Sequence, residues 1–478
     1  MSNYNIYKPI QRGEIMATFG RNTIYTDYPA INRDNVVQVI KESQMKHLSN
    51  SSQIEHLINY YKGNQPILQR TKEIRPEIIN KCIVNHANEI VSFKVSYLLS
   101  EPITYINRSG ENDNSEKIKK LNEFMYLEDK SSKDKEIADF FSICGVAYRM
   151  ILPNTNYGDN VAPFNIYTLD PRYTYVIRHN SLGYPVVAGV KYITKENGEQ
   201  VFSVYTKKEY FEIINNQITF FKSHSLGEVP IIEYVNNDFK IGAFEVVETL
   251  LDTINVLESN RIDATEQAVQ ALMVFENCEI DTEQFEEMRK KGAIKIKSTD
   301  GNTSKVYTVA TDMNQSDQQV LMNSIYRNIL TITGMPQTGD GNSSDSSNNG
   351  AIIVKSGWYH AEARAKDTEL LWRRSERQFL KIALQICKQK ADLEIPLSAV
   401  HEKFTRRNYE DIMTKATTLT TLLNNNKVHP RVAYQTSGIA VDPEEAYMQG
   451  MEWYEQVKKE EKEQLQNQQA KKVGDAIA

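Results

Sequence analysis

Few side chains in this sequence are spaced as catalysis requires. No glycine-rich loop leads into Gly-Lys-Ser or Gly-Lys-Thr, so the phosphate-binding loop of ATPases is missing. The pair His401 and Glu402 lacks the second histidine of a zinc-protease helix, and no Gly-x-Ser-x-Gly elbow occurs. The remaining histidines are dispersed, with no nucleophile and orienting carboxylate beside them in sequence. These absences predict a protein that is not an enzyme.

Metal and cofactor sites also lack their usual residues. Cys82 and His86 are four positions apart, but nothing nearby supplies the further ligands of a zinc site. Gly339-Asp340-Gly341 resembles the beginning of a dinucleotide-binding fingerprint without its third glycine or its preceding strand. That aspartate, Asn342 and Asp345 could touch a divalent cation, yet no glutamate closes an EF-hand frame. We therefore expect neither a metal nor a cofactor.

The most informative charges lie along one amphipathic segment. Apolar residues recur at helical spacing from Phe244 to Leu257, and the helical pattern continues to about Leu272. Two interpretations of its charge remain open: a solvated helix face, or a surface that keeps polyanions from adhering. Along the segment, Arg261 is the only opposite charge expected to face the carboxylates of Glu245, Glu248, Asp252, Glu258, Asp263 and Glu266.

Bulk properties narrow the class of protein. A chain of 478 residues is long enough for two or more structural units. Its longest apolar runs, such as Val186–Val190, are far shorter than the ~20 residues that cross a bilayer, and the amino terminus lacks the apolar core of a signal peptide. We expect no membrane segment and a cytoplasmic product. The net charge of −6 argues against a general nucleic-acid binder.

The first half of the chain is predicted to be an α+β region. Residues 1–50 are polar and weakly periodic, which predicts a loosely packed arm with order beginning near Ser51. Helices are predicted over Gln53–Tyr61, Ile83–Leu99 and about Asp134–Cys144. Period-two patterning predicts strands at Ile103–Ile106, Val146–Leu152, Phe164–Leu169, Tyr173–Ile177, Val186–Ile193, Val201–Tyr205, Tyr210–Ile214, Ile218–Phe221 and Ile231–Val235.

The second half is mainly helical. After the acidic helix, a compact insert is predicted as a short helix and a hairpin around Asp300–Gly301, and a second helix returns to Gly334-Met335-Pro336. Each of the two long helices has one apolar stripe, so we expect the pair to pack against copies of itself. Gln337–Asn349 is predicted as a polar loop and Gly350–Lys390 as the longest helix. Further helices are predicted near Asn408–Leu423, His429–Thr436 and Pro443–Gln469.

The order of these parts resembles the portal proteins of tailed phages, in particular the branch found in siphophages of Gram-positive hosts. The resemblance covers about residues 51–460, and it is carried by the order and spacing of short motifs rather than by any one of them. The matching segments are Tyr60–Ile67, Val84–Asn88, Val95–Ile103, Val235–Asn237, Gly334–Pro336 and Phe404–Asn408.

The resemblance implies an α+β portal fold with a strand-rich wing, a helical stem, an α/β clip, a long spine helix and a helical crown. The corresponding segments are an amino-terminal arm (1–50), wing (51–240), first stem helix (241–271), clip (272–313), second stem helix (314–336), tunnel loop (337–349), spine helix (350–390) and crown with a charged tail (391–478).

It also implies a function. Copies of the chain, typically twelve, would form a ring at one capsid vertex of the virion, after assembly in the host cytoplasm. Double-stranded DNA would be packaged and ejected through the ring. Expected partners are the chain itself, the terminase motor, a head-completion adaptor, and the major capsid and scaffolding proteins, with no membrane. The alternatives are another ring-forming structural or scaffold protein, or an enzyme with an unrecognised site.

Three sets of residues receive roles from this resemblance. The six carboxylates of the acidic helix would line the DNA channel. The clip would offer Glu283, Glu286, Arg289 and Lys290 to partner proteins. The tunnel loop would contact DNA weakly and act as a valve against backward slippage, through Gln337, Asp340, Asn342, Ser343, Asp345 and Asn348.

Overall fold

The computed structural model divides into two compact units. The first comprises Met1–Leu57, Val91–Ala243 and Gly334–Ala478, and the second comprises Ile58–Ile90 and Phe244–Thr333. The residues described by the structure are 19–73, 75–108, 112–269, 272–276, 283, 286, 305–309, 315–337, 357–406, 412–440 and 443–477.

Helices precede and follow the main strand-forming stretch, residues 146–235, in the sequence. In chain order they are α1 (Val36–Tyr61), α2 (His86–Leu98), α3 (Asn112–Leu127), α4 (Lys130–Cys144), α5 (Glu248–Val269), α6 (Gln315–Thr333), α7 (Trp358–Lys390), α8 (Ile412–Leu423), α9 (Pro430–Ser437) and α10 (Pro443–Ile477).

The nine strands predicted between residues 103 and 235 coincide with observed strands to within about two residues at each end, because alternating apolar side chains report a half-buried sheet locally. The short strands at Ile24–Thr26 and Val400–Lys403 were not predicted. The mixture of helix and sheet confirms the α+β class. The strands are β1 (Ile24–Thr26), β2 (Thr104–Asn107), β3 (Val146–Pro153), β4 (Phe164–Leu169), β5 (Thr174–His179), β6 (Val186–Thr194), β7 (Gln200–Tyr205), β8 (Glu209–Ile214), β9 (Gln217–Ser223), β10 (Ile231–Val235), β11 (Leu272–Glu276), β12 (Lys305–Val309) and β13 (Val400–Lys403).

A six-stranded sheet in the order β1-β5-β6-β7-β8-β9 forms the largest layer of the first unit. Its strands from β5 to β9 are antiparallel neighbours joined by short connections. Asn215 and Asn216, both with positive φ, form the two-residue turn between β8 and β9. Asparagine tolerates this backbone region, which gives a hairpin turn the twist of its strands. A second sheet has the order β10-β3-β4, and β13 pairs with β2.

The prediction that order begins near Ser51 is wrong. Strand β1 adds to the six-stranded sheet in parallel, with Ile24 opposite Ile177. Helix α1 begins at Val36, and Val39 and Ile40 are buried in the same core as the sheet. These early apolar residues are buried against strands that lie more than a hundred residues later in the chain, so local sequence periodicity does not reveal their partners. Residues 1–18 lie outside the described residues.

The second unit contains α5, α6, the short hairpin of β11 with β12, and an extended segment that precedes α2. Helix α5 packs against α6 and against a 3₁₀ turn at Pro66–Gln69. The hairpin pairs Leu272 with Val309, whereas the sequence had placed a hairpin around Asp300–Gly301. That turn, and most of the short helix predicted for the insert, fall outside the described residues.

The carboxy-terminal helices follow the prediction closely. Helix α9 begins after His429 with Pro430 at its first position, a favoured place for proline, and it ends at Gly438. Arg431 on α9 forms an ion pair with Glu444 on α10. Across the described residues, no helix combines the length and apolar character needed to span a bilayer.

Candidate functional site

The inner face of α5 carries a ladder of polar side chains. Asn255 Oδ1 accepts a hydrogen bond from the backbone N–H of Val84, at 2.8 Å. One turn later, Ser259 Oγ accepts from the N–H of Cys82, at 2.9 Å. Asn255 and Ser259 are fully buried. Alternate residues of an extended chain present their N–H groups to the same side, so acceptors spaced by four residues on a helix can bind them in succession.

Asp263 is the third residue of the ladder, and it forms ion pairs as well as a hydrogen bond. Its Oδ1 accepts from the N–H of Asn80 at 2.7 Å, and its Oδ2 lies 3.0 Å from Arg70 and 3.3 Å from Lys72. Burial opposes ionisation of this carboxylate, but the hydrogen bonds from Asn80 and Lys72 and the charge of Arg70 outweigh it and lower the pKa. Asp263 is therefore a buried anchor for the extended segment.

Arg261 is the only basic residue along the segment itself, but in the folded chain it is not the only cation that faces these carboxylates. Arg70 and Lys72, almost two hundred residues earlier in the chain, meet Asp263. Arg261 itself lies 3.8 Å from Glu258 and donates to Gln319 on α6, at 2.8 Å. The sequence interval is too long for periodicity along α5 to reveal these partners.

Other predicted lining residues also have partners within the second unit. Asp252 accepts from the Tyr60 hydroxyl at 2.9 Å, and burial together with the charge of Asp252 raises the pKa of that tyrosine. Glu266 accepts from the Asn80 side chain at 3.0 Å. Glu245 is buried, with 5% of its surface exposed. The channel-lining role of the six carboxylates stays a prediction, but Glu245 and Asp263 do not face solvent in this subunit.

The exposed face of α5 is uncharged. From Val246, in the turn that leads into α5, to Asn260, the solvent-exposed residues recur at intervals of three and four, as on one side of a helix that packs against another helix. Glu248, Asp252 and Glu258 lie beside this face and are half-buried. The uncharged stripe consists of Val246, Thr249, Thr253, Val256 and Asn260.

Helix α6 is tied to the start of α2 by an aromatic and acidic cluster. Glu89 accepts from the Tyr326 hydroxyl at 2.7 Å and lies 2.6 Å from His86, whose ring packs against that of Tyr326. The hydrogen bond from His86 is the main cause of a lowered pKa for Glu89. Exposed apolar side chains remain on α6, including Leu321 and Ile332.

The predicted clip and tunnel-loop residues are only partly described. Glu283 and Glu286 are helical and exposed, and Gln337 is half-buried. The residues predicted for these two sites that lie outside the described residues are Arg289, Lys290, Asp340, Asn342, Ser343, Asp345 and Asn348.

The first unit contains a buried charge network that the sequence did not reveal. Arg149, with no exposed surface, forms ion pairs with Asp134 and Glu376. Lys130 lies 2.7 Å from Asp134 and 2.9 Å from Glu376. Burial opposes ionisation of Glu376, but Lys130 and Arg149 outweigh it and lower its pKa to about 2. This network joins α4, β3 and α7.

A signal for each missed cluster exists in the sequence. Asn255, Ser259 and Asp263 follow each other every four residues on the apolar side of α5, where polar residues need partners. Arg149 interrupts an otherwise apolar strand. Neither signal identifies the partner. No group of three or more potential metal ligands occurs within the described ranges.

Comparison with known families defines the class of protein as a phage portal, a structural protein and not an enzyme. A family model described as "Phage portal protein, SPP1 Gp6-like" matches residues 40–474. The chain belongs to this family. Membership implies assembly into a ring associated with the capsid and with DNA, at a capsid vertex of the virion.

Two further comparisons add little to this assignment. A search of curated proteins finds no match. Among solved structures, the chain is similar to a subunit described as "Neck of empty GTA particle computed with C6 symmetry", with 10% sequence identity and a TM-score of 0.44. The similarity covers 74% of this chain and 90% of the other.

Proposed function

We propose that this protein forms the ring through which double-stranded DNA is packaged into and ejected from a phage capsid. The observation that supports this proposal most directly is the match to the portal family over residues 40–474. The proposal includes twelve copies per ring, docking of the terminase and later of a head-completion adaptor, contacts with the major capsid and scaffolding proteins, and an origin in a siphophage of a Gram-positive host.

The uncharged stripe on α5 supports contact between copies in such a ring. Val246 and Val256 are 45% and 43% exposed, and covering them would be favourable, since complete burial of a valine side chain stabilises by about 1.5–3 kcal/mol. The 3-4 spacing matches the grooves of a neighbouring helix. The exposed apolar residues Val320, Leu321 and Ile332 on α6 offer a second such surface on the same subunit. A ring needs two different surfaces on each copy, because its contacts are head-to-tail.

Native mass spectrometry of the purified full-length protein tests ring formation. We expect a dominant species of twelve copies, and images with a central hole. The double variant Thr253→Lys with Val256→Lys places two charges in the uncharged stripe and should shift the population to smaller species. Leu182→Lys, at a fully exposed residue of the first unit, serves as the control and should leave rings intact. Intact rings in the double variant would remove α5 from the contact.

The half-buried carboxylates beside the stripe support passage of DNA without tight binding. Repeated around a channel, Glu248 and Glu258 would form negative rings that phosphates approach unfavourably, and no counterions would be released on contact. In a DNA-packaging assay, Glu248→Lys with Glu258→Lys should slow packaging, and the neutral pair Glu248→Gln with Glu258→Gln should have a smaller effect. Packaging at the wild-type rate in assembled lysine-variant rings would exclude this role.

The tunnel loop and the clip remain parts of this proposal on the strength of family resemblance. Deleting Ser343–Asn348 should permit assembly but reduce DNA retention in filled capsids. Exchanging the exposed Glu283 and Glu286 for lysine should weaken terminase-dependent packaging without changing the ring. Full DNA retention in the deletion variant would contradict the valve role of the loop. Normal packaging in the clip variant would show that the terminase docks elsewhere.

A further inference from the structure

A small cavity in the first unit is lined by cations and lacks an acidic side chain. It lies among α2, the end of α4 and α7 and has a volume of about 40 Å³. Lys94 on α2 and Arg364 on α7 line it, together with Ser142, which is buried, and apolar groups such as Phe141 and Ala361. Tyr97 is the other titratable group among the lining residues.

The two cations of this cavity are not neutralised within the described residues. Neither Lys94 nor Arg364 has a carboxylate within ion-pair distance in that part of the chain, and Arg364 is exposed to solvent. Desolvation of the Lys94 ammonium, together with the charge of Arg364, lowers the lysine pKa to about 8. Elsewhere on α7, the Glu362 carboxylate accepts from Tyr97 at 2.9 Å and from Arg406 at 3.0 Å, so its oxygens are engaged.

Such an arrangement is unfavourable for an empty cavity and favourable for a bound anion. Removing an ammonium group from water beside a second cation costs free energy that a partly exposed anion would offset. The cavity is roughly three times the ~10–15 Å³ that a water molecule needs, which suits a small tetrahedral oxyanion. Arginine and lysine are the side chains that most often bind phosphate groups.

We propose that this cavity binds a phosphate group, with Lys94 and Arg364 as its cationic partners and the Ser142 hydroxyl as a further donor. The phosphate is either a free inorganic anion or part of a nucleic-acid backbone, since both present the same oxygens. The site does not depend on the proposed passage of DNA, because binding of a free anion requires only the first unit's own side chains.

Calorimetric titration of the assembled full-length protein with sulfate tests the site at low ionic strength. Sulfate remains a dianion from pH 6 to 9, so a change in its affinity over this range reports the protein. Saturable binding is expected near pH 7, with weaker binding as pH rises past about 8 and Lys94 loses its proton.

Variants test whether sulfate binds in this cavity or elsewhere on the protein surface. Lys94→Gln should weaken sulfate binding at least tenfold and abolish its pH dependence, whereas Lys94→Arg should retain binding. Lys41→Gln, at an exposed lysine of α1 in the same unit, is the matched control and should leave binding unchanged. Absence of saturable binding in the wild-type protein, or equal affinity in Lys94→Gln, would overturn the proposal.

A competition experiment distinguishes the sources of the phosphate. Inorganic phosphate should displace sulfate in the wild-type protein. A short DNA duplex that also displaces it in a Lys94-dependent manner would identify the nucleic-acid backbone as a ligand. Displacement by inorganic phosphate alone would assign the site to a free anion, and a failure of both phosphate sources to displace sulfate would contradict a phosphate site.

Discussion

The Asp263 carboxylate accepts a hydrogen bond from the backbone N–H of Asn80, with 2.7 Å between the oxygen and the nitrogen. These residues lie 183 positions apart in the chain. The contact fixes an extended segment against α5, and the cations Arg70 and Lys72 reach the same carboxylate from that segment. A residue predicted to face DNA thus stabilises the second unit.

Replacing Asp263 should loosen this segment locally. Asp263→Asn removes the charge that neutralises Arg70 and Lys72 and should cost about 1–3 kcal/mol, since both cations are partly exposed. Hydrogen exchange of the Asn80, Cys82 and Val84 amides should accelerate roughly ten- to hundredfold. Glu258→Gln is the control, because its contact with Arg261 is long and should contribute little. Equal exchange rates in the two variants would contradict the anchoring role of Asp263.

The buried network around Glu376 should be essential for the first unit. Glu376→Gln removes a carboxylate that neutralises the buried cations Lys130 and Arg149. We expect the unfolding free energy to fall by about 3–5 kcal/mol. Denaturant unfolding followed by tryptophan fluorescence measures it, because Trp372 is buried on the same helix. Glu394→Gln, at an exposed position, should change little. A small loss in Glu376→Gln would mean that the network relaxes or admits water.

His47 should make the first unit sensitive to mild acid. Burial is the main cause of its pKa falling to about 4, and no hydrogen-bond acceptor for Nδ1 occurs among the described residues. Because the unfolded chain binds a proton near pH 6.5 and the folded chain does not, stability is complete above pH 6.5. It should fall as pH drops toward 4, by up to about 3 kcal/mol.

Unfolding measurements between pH 7 and 4 follow this titration. His47→Phe keeps an aromatic ring against Tyr175 but cannot titrate, so its stability should depend less on pH over that interval. His360→Gln, at an exposed residue, should retain the wild-type slope. An unchanged slope in His47→Phe would assign the acid sensitivity to other groups.

Gly145 should be intolerant of any side chain. It joins α4 to β3 at φ +78°, and a Cβ atom there would lie 1.9 Å from the carbonyl oxygen of Lys240. Gly145→Ala therefore forces a side chain into a strained backbone conformation. It also places the new Cβ against the main chain of Lys240, which would have to shift to relieve the clash. Gly183→Ala has a similar φ of +82° and open space around it, so it isolates the strain. We expect a clearly larger loss of thermal stability for Gly145→Ala, and equal losses would exclude the clash.

The strands and most helices could be predicted from the sequence because their signals are local. Alternation over β3 to β10 and helical spacing in α5, α7 and α8 each depend on neighbours within a few residues. The absence of catalytic motifs and the order of the short family motifs can likewise be read from the sequence alone. The early helix α1 was only partly predicted, because Val36, Val39 and Ile40 depend on a distant sheet for their burial.

Periodicity along α5 identified six carboxylates but not their surroundings. A repeat of 3.6 residues shows which side chains share a helix face, whereas it does not show which distant segment covers that face. The tertiary structure decided that Asp263 meets Asn80, Arg70 and Lys72, and that the exposed stripe of α5 is uncharged. Burial of a charge depends on contacts hundreds of residues apart, so only the folded chain could distinguish a structural carboxylate from one that faces solvent.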